Sequence, residues 1–125
     1  FYPFNILFFL IGGRWAWIIS IMIQPLLAFL FMFLFMRSLK ISRVSATFSS
    51  IGFAFIGYIM VWFEMGIIGH AALWLPLILW GITKYIKIKS AIFLVLSALG
   101  MTFSIFAGHA QTAMYVLLFS VAYFI

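Results

Sequence analysis

The sequence predicts an all-α transmembrane protein, a polytopic helical bundle of about five spans. Three observations carry that expectation. Of 125 residues, 69% are hydrophobic and only 6% charged, and the mean hydropathy is +1.36. A soluble domain is nearer half apolar and a quarter charged, so this chain has too little polar surface to cover itself in water. Its apolar residues run in stretches close to the roughly 20 that a helix needs to cross the hydrocarbon. Six of its seven basic residues fall in two short clusters between such stretches, Arg37–Arg43 and Lys84–Lys89.

The same figures exclude other classes. A soluble globular enzyme and a disordered segment are both incompatible with this hydrophobicity. The net charge of +6 does not indicate a nucleic-acid partner, because six of the seven cations lie in two loops between apolar stretches and are better explained by membrane topology than by a phosphate-tracking face. Cysteine is absent, which removes disulfides and thiolate metal sites. No P-loop, GxGxxG, Ser/His/Asp order or His/Cys cluster is present, and no metal ligand set is expected.

Taken in order, residues 1–14 are apolar but broken by Pro3, Asn5 and Gly12-Gly13, which predicts a short re-entrant or interfacial segment and a turn. Span one is expected over 15–36, kinked at Pro25. The basic stretch 37–45 leads to span two at 46–63, and a turn carrying Glu64 and His70 leads to span three at 67–83. A second basic stretch, 84–90, precedes span four at 91–107. Gly108-His109 marks the turn into span five at 111–125. The chain opens on Phe1 and stops inside an apolar run, so an internal fragment of a larger membrane protein is expected. The whole is read as one transmembrane domain.

Cationic loops favour the cytoplasmic side. Two spans separate the basic loops, so both can lie inside together. Residues 1–14 and the 64–70 and 108–111 turns then face outward. That sorting gathers Asn5, Arg14, Glu64, His70, His109 and Gln111 at one boundary, and polar groups at a membrane boundary tend to mark sites. His109 follows Gly100, Ser104 and Gly108, a small-residue stripe expected to pack it against a neighbouring helix. A neutral imidazole there can take a proton or bind a phosphate or sugar oxygen. Gln111 is one helical turn from Tyr115 and serves as an orienting donor. Arg14 is either a phosphate clamp or a snorkelling cation beside Trp15 and Trp17. Glu64, the only acid, is a candidate base or a partner for Arg14. His70 is a candidate ligand or a helix-entry residue. Trp62 and Trp74 are expected in the outer aromatic belt, with Trp80 and Tyr85 in the inner one.

Four runs occur in an order that resembles the bacterial YfhO-like integral membrane proteins of the GT-C glycosyltransferase group. They are Tyr2–Leu10, Leu34–Tyr58, His70–Trp80 with its WLPL, and Ala107–Tyr115 with its GHxQ. The family's usual Gly-His-Pro-Gln reads Gly-His-Ala-Gln here, with Ala110 in the proline position. The resemblance implies part of a GT-C fold in the bacterial cytoplasmic membrane. It implies transfer of a sugar from a polyprenyl-phosphate carrier to a cell-envelope acceptor on the extracytoplasmic side. It also implies a catalytic aspartate upstream of this segment, with any divalent cation bound by residues outside it and no other cofactor. His109, Gln111, Arg14, His70 and Asn5 would then bind substrate. The alternatives are a transporter or flippase of a lipid-linked substrate and a non-catalytic membrane scaffold. Coupled transport normally needs carboxylates inside the spans or helices broken at mid-depth; no acid lies inside a span, and Pro25 and Pro76, which could break helices, have no ionisable residue beside them.

Overall fold

A computed structural model describes residues 2–125. The described residues form helices and turns with no strand: α1 (Ile6–Leu10), α2 (Gly13–Ser38), α3 (Arg43–Ala54), α4 (Gly57–Val61), α5 (Ile68–Ala72), α6 (Leu75–Ile88), α7 (Ala91–Phe106) and α8 (Ala110–Phe124), with 3-10 turns at Pro3–Asn5 and Phe63–Met65.

Three units are long and apolar enough to cross a membrane: α2 with 26 residues, Arg43–Val61 with 19 and Ile68–Ile88 with 21. The last two are not continuous helices. α3 stops at Phe55, Ile56 is extended, and α4 resumes at Gly57. In the third unit the cause is chemical. Pro76 has no N–H for the carbonyl of Ala72, and α5 ends there before α6 restarts at Leu75. α2 instead runs unbroken through Pro25. The sequence suggested five spans, but α7 and α8 have only 16 and 15 residues. Sixteen residues rise about 24 Å, short of the roughly 30 Å hydrocarbon thickness.

The two basic loops lie at the same end of the bundle. The Lys87 ammonium donates to the Ser38 carbonyl and so joins the end of α6 to the end of α2. Lys40 and Lys89 each turn the chain with a left-handed backbone just past a helix, at φ 64° and 60°. The Tyr123 hydroxyl meets Thr83 Oγ1 at 2.8 Å and fixes the end of α8 there as well.

Packing inverts the pattern of a soluble protein. The buried seams carry Ala16, Ser20, Gln24 and Ala28 on α2, Ala46, Ser50 and Ala54 on α3, and Ser97, Gly100 and Ser104 on α7. Large apolar side chains such as Phe48, Ile92 and Leu118 face outward. Small residues let helix backbones approach where lipid competes for large apolar groups. The closest approach is α6 on α7. A Cβ on Gly81 would lie 2.8 Å from the Phe93 carbonyl oxygen, and one on Gly100 would lie 2.8 Å from Ile78 Cγ1. Hydroxyls on α7 bridge to both neighbours: Ser97 Oγ donates to the Ile78 carbonyl of α6 at 3.1 Å, and Ser104 Oγ donates to the Ala71 carbonyl of α5 at 2.8 Å. The α7 stripe therefore begins one turn lower than the sequence implied. Gly108 leaves the helix at φ +94° and is exposed, so His109 is half-buried and not packed into a seam.

Gly81→Ala is expected to cost about 1–3 kcal/mol through overpacking. Gly52→Ala, where a Cβ meets nothing within 4 Å, is expected to stabilise by up to about 1 kcal/mol through helix propensity. Thermal unfolding of the two variants in one detergent checks the contrast.

Candidate functional site

The end opposite the basic loops holds two polar chambers. The first is built around His70, 2% exposed on α5. The Trp74 indole N–H donates to the Tyr2 oxygen at 3.2 Å, which leaves the phenol proton for His70 Nδ1 at 2.8 Å. Nε2 then carries the ring proton and donates to the Ser20 carbonyl at 3.1 Å, with Ser20 Oγ also at 3.1 Å. Burial pushes the Tyr2 phenol well above its ordinary value, with the Trp74 donor acting in the opposite sense, so Tyr2 stays a donor. Phe4 stacks beside this chain on His70 and Trp74, with ring centroids 5.4 and 6.5 Å away.

Both nitrogens of His70 are thus committed, and the residue is a clamp joining the segment before α1 to α2 and α5. Trp74 belongs to the same clamp. It is buried against Phe31 and Phe103 in the core and is not a belt residue. Beside the clamp lies a cavity of about 310 Å³, lined by Asn5, Phe8, Trp17, Ser20 and the turns at Gly66 and Gly108.

The second chamber is built around His109, which caps α8. The Thr112 backbone N–H donates to His109 Nδ1 at 3.3 Å, so that nitrogen carries a lone pair. Thr112 Oγ1 is 2.7 Å from the same nitrogen and donates to it. Its oxygen accepts from the Tyr58 hydroxyl at 2.6 Å. The ring proton therefore resides on Nε2, and His109 presents a donor, not a base. Gln111 Nε2 donates to the Tyr115 hydroxyl at 3.0 Å, the one-turn contact expected from their spacing. Tyr58, Trp62, Ile68, His109, Gln111 and Tyr115 enclose about 300 Å³. An apolar groove of about 290 Å³ adjoins this space and shares Tyr58 and Tyr115 with it. Phe53, Val116 and Phe119 line the groove.

The six residues expected to form one site are divided. Asn5 and His70 border the first chamber, and His109 and Gln111 the second. Arg14 is exposed, with its guanidinium 5.9 Å from the Trp15 ring centroid, the geometry of a snorkelling cation. Glu64 is exposed in the 3-10 turn, and the nitrogens of His70 are held by Tyr2 and Ser20, not by this carboxylate. Among the described residues no group of three or more His, Cys, Asp or Glu side chains gathers.

Sequence reasoning missed Tyr2, Ser20, Tyr58 and Thr112. Gln24 was missed as well, and it is the most unusual of them. It is fully buried near the middle of α2, and neither its Oε1 nor its Nε2 has a hydrogen-bond partner. Gly69 leaves room for it, since a Cβ there would collide with Gln24 Oε1. A Gln-Pro pair inside an apolar run, with Ser20 one turn earlier, was the available signal. No family model, curated protein or solved structure matches the chain.

Two stability outcomes follow. Tyr2→Phe removes the hydroxyl between Trp74 and His70 and leaves buried partners unpaired, at about 1–3 kcal/mol. Hydrogen exchange over residues 2–10 is expected to rise while α6 and α7 stay protected. Gln24→Leu removes two unpartnered buried atoms at similar volume and is expected to raise the unfolding free energy by about 1 kcal/mol or more.

Proposed function

We propose that this chain forms the lipid-carrier wall of a membrane glycosyltransferase, with His109 and Gln111 holding phosphate or sugar oxygens. The observation that carries this reading is the continuity of a polar chamber with an apolar groove through Tyr58 and Tyr115. A ligand fitting both has a polar head and an apolar chain, as a polyprenyl-phosphate sugar does. The His109 Nε2–H is a neutral donor aimed at an anionic or hydroxyl oxygen. Arg14 supplies long-range positive charge from the same end of the bundle.

In this reading α7 and α8 also cross the membrane, which gives five spans with the basic end cytoplasmic and both chambers outside. The short α7 and α8 are accommodated by local thinning of the bilayer. The acid that activates the acceptor hydroxyl is supplied by residues outside this chain, because Glu64 lies outside both chambers' linings. The residues of this chain bind and orient. They do not break the donor's sugar–phosphate bond.

The test uses the full-length protein in nanodiscs with a polyprenyl phosphate as probe. His109→Leu is expected to weaken binding about tenfold or more, the worth of one hydrogen bond to a charged group. Transfer to the envelope acceptor is expected to fall in parallel. Unchanged binding and transfer at normal expression overturns the role of His109. A transport reading gains support if cysteines along α3 and α7 label continuously from the outer end to the basic end. An enzyme with one-sided access labels only near the chambers.

A further inference from the structure

The basic end of the bundle has a groove of its own, remote from both chambers. It measures about 380 Å³ and runs between α7 and α8 over Ile82 of α6. Ser97 and Ser120 are buried in its floor with Ile82, while Leu94 and Ala98 on α7 and Val121 and Phe124 on α8 form exposed edges. Leu94 lies in the first turn of α7 and Phe124 ends α8, so the groove opens beside the Lys89–Ser90 link that joins α6 to α7.

We propose that this groove and Lys89 form a binding site for an anionic phospholipid, with an acyl chain in the groove and the phosphodiester on the ammonium. The hydroxyls of the floor are spent inside the bundle. Ser97 Oγ is bonded to the Ile78 and Phe93 carbonyls, and Ser120 Oγ donates to the Val116 carbonyl at 2.7 Å. The floor therefore offers no free donor, and a polar group placed there would lose water without compensation. An apolar chain has no such cost. A helix is about 10–12 Å across with its side chains and cannot enter between α7 and α8, which pack as neighbours. Leu94, Val121 and Phe124 also present large side chains at the edges, not the small residues that let a further helix approach.

Charge selects the other half of the ligand. Arg37, Lys40, Arg43, Lys84, Lys87 and Lys89 all lie at this end, and the only acid of the chain, Glu64, lies in a turn at the opposite end. A lipid with net negative charge is attracted there, and one whose headgroup carries its own ammonium is not. Lys89 is the cation that stands at the groove. It follows Ile82 by seven residues, which returns it to the same side of α6, and its Nζ lies 5.6 Å from the Tyr85 ring centroid. Its backbone is left-handed at φ 60°, a position that helix ends ordinarily give to glycine. Lys87 instead donates to the Ser38 carbonyl on α2, and Lys84, two residues past Ile82, lies on the opposite side of α6. This assignment shares with the five-span reading only that α7 and α8 lie in the membrane. It does not depend on what the chambers bind.

The test is native mass spectrometry of the full-length protein released from nanodiscs that contain phosphatidylglycerol and phosphatidylcholine in equal amounts. Retention of one phosphatidylglycerol per chain is expected, at about fivefold or more over phosphatidylcholine. Lys89→Gln is expected to lower that retention about fivefold, while Lys84→Gln, which removes the same charge, changes it less than about twofold. Ala98→Phe fills the groove from an exposed edge and is expected to abolish the selective retention at unchanged helical content. Val121→Phe makes the same test from α8 should the first variant fail to fold. Absence of a preference for phosphatidylglycerol overturns the proposal, and so do equal losses in the two lysine variants, which would mark a diffuse field. Unchanged retention in the groove-filling variants overturns it as well, since that is the result if another helix of the full-length protein covers the groove. Displacement of phosphatidylglycerol by a polyprenyl phosphate overturns it too. Lys89→Gln is expected to leave polyprenyl-phosphate binding unchanged, so failure here is distinguishable from failure of the lipid-carrier reading.

Discussion

The architecture depends on how closely α6 lies on α7 and on α2. Gly81 and Gly100 let two helix backbones come within reach of Ser97 and Ile78, and at that distance a hydroxyl can reach a carbonyl on the neighbouring helix. In a membrane the apolar side chains gain little by leaving lipid for protein. Close backbone approach and interhelical hydrogen bonds then do the work that large core residues do in water. The break before Pro76 would leave carbonyls exposed to an apolar interior. Ser104 reaches across from α7 to the Ala71 carbonyl and answers part of that deficit.

From this contact the sidedness follows. With α2, α6 and α7 fixed together, the ends of α2 and α6 meet through Lys87 and Ser38, and the turns at Gly66 and Gly108 meet at the opposite end. Six of the seven cations collect at one end, and the two polar chambers lie at the other with Arg14. His70 lies 68 residues from Tyr2 and 50 from Ser20 along the chain, and these hydrogen bonds form only once the helices are packed. The clamp is a consequence of the packing.

What the sequence made legible was periodic or compositional. The apolar runs marked every major helix, the two basic clusters marked one end, and the i to i+4 spacing of Gln111 and Tyr115 marked their contact. What it did not disclose was long-range or one-sided. Tyr58 pairs with Thr112 across 54 residues, with no spacing signal to reveal it. His70 and His109 look alike in sequence, each beside a glycine in an apolar context. Only the packing separates a histidine with both nitrogens committed from one with a free Nε2–H. Trp74 resembled a belt residue because tryptophan at a span end usually is one. The break at Pro76 turned it inward, onto Phe31 and Phe103. Of the five apolar segments, three reach spanning length, and α7 and α8 are shorter at 16 and 15 residues.

Gln24 bears on how such a bundle is held for function. A fully buried amide with neither atom bonded is costly, and an apolar residue of the same volume would fit the seam between Ala28 and Ser20. Its placement suggests why it is tolerated. It lies one turn below Ser20, whose carbonyl accepts from His70, and it faces Gly69, the residue preceding that histidine. The amide thus occupies the layer directly beneath the clamp, where Pro25 also removes one backbone N–H from α2. Among the described residues Gln24 alone buries side-chain polar atoms without a partner, and it does so where α2 meets α5.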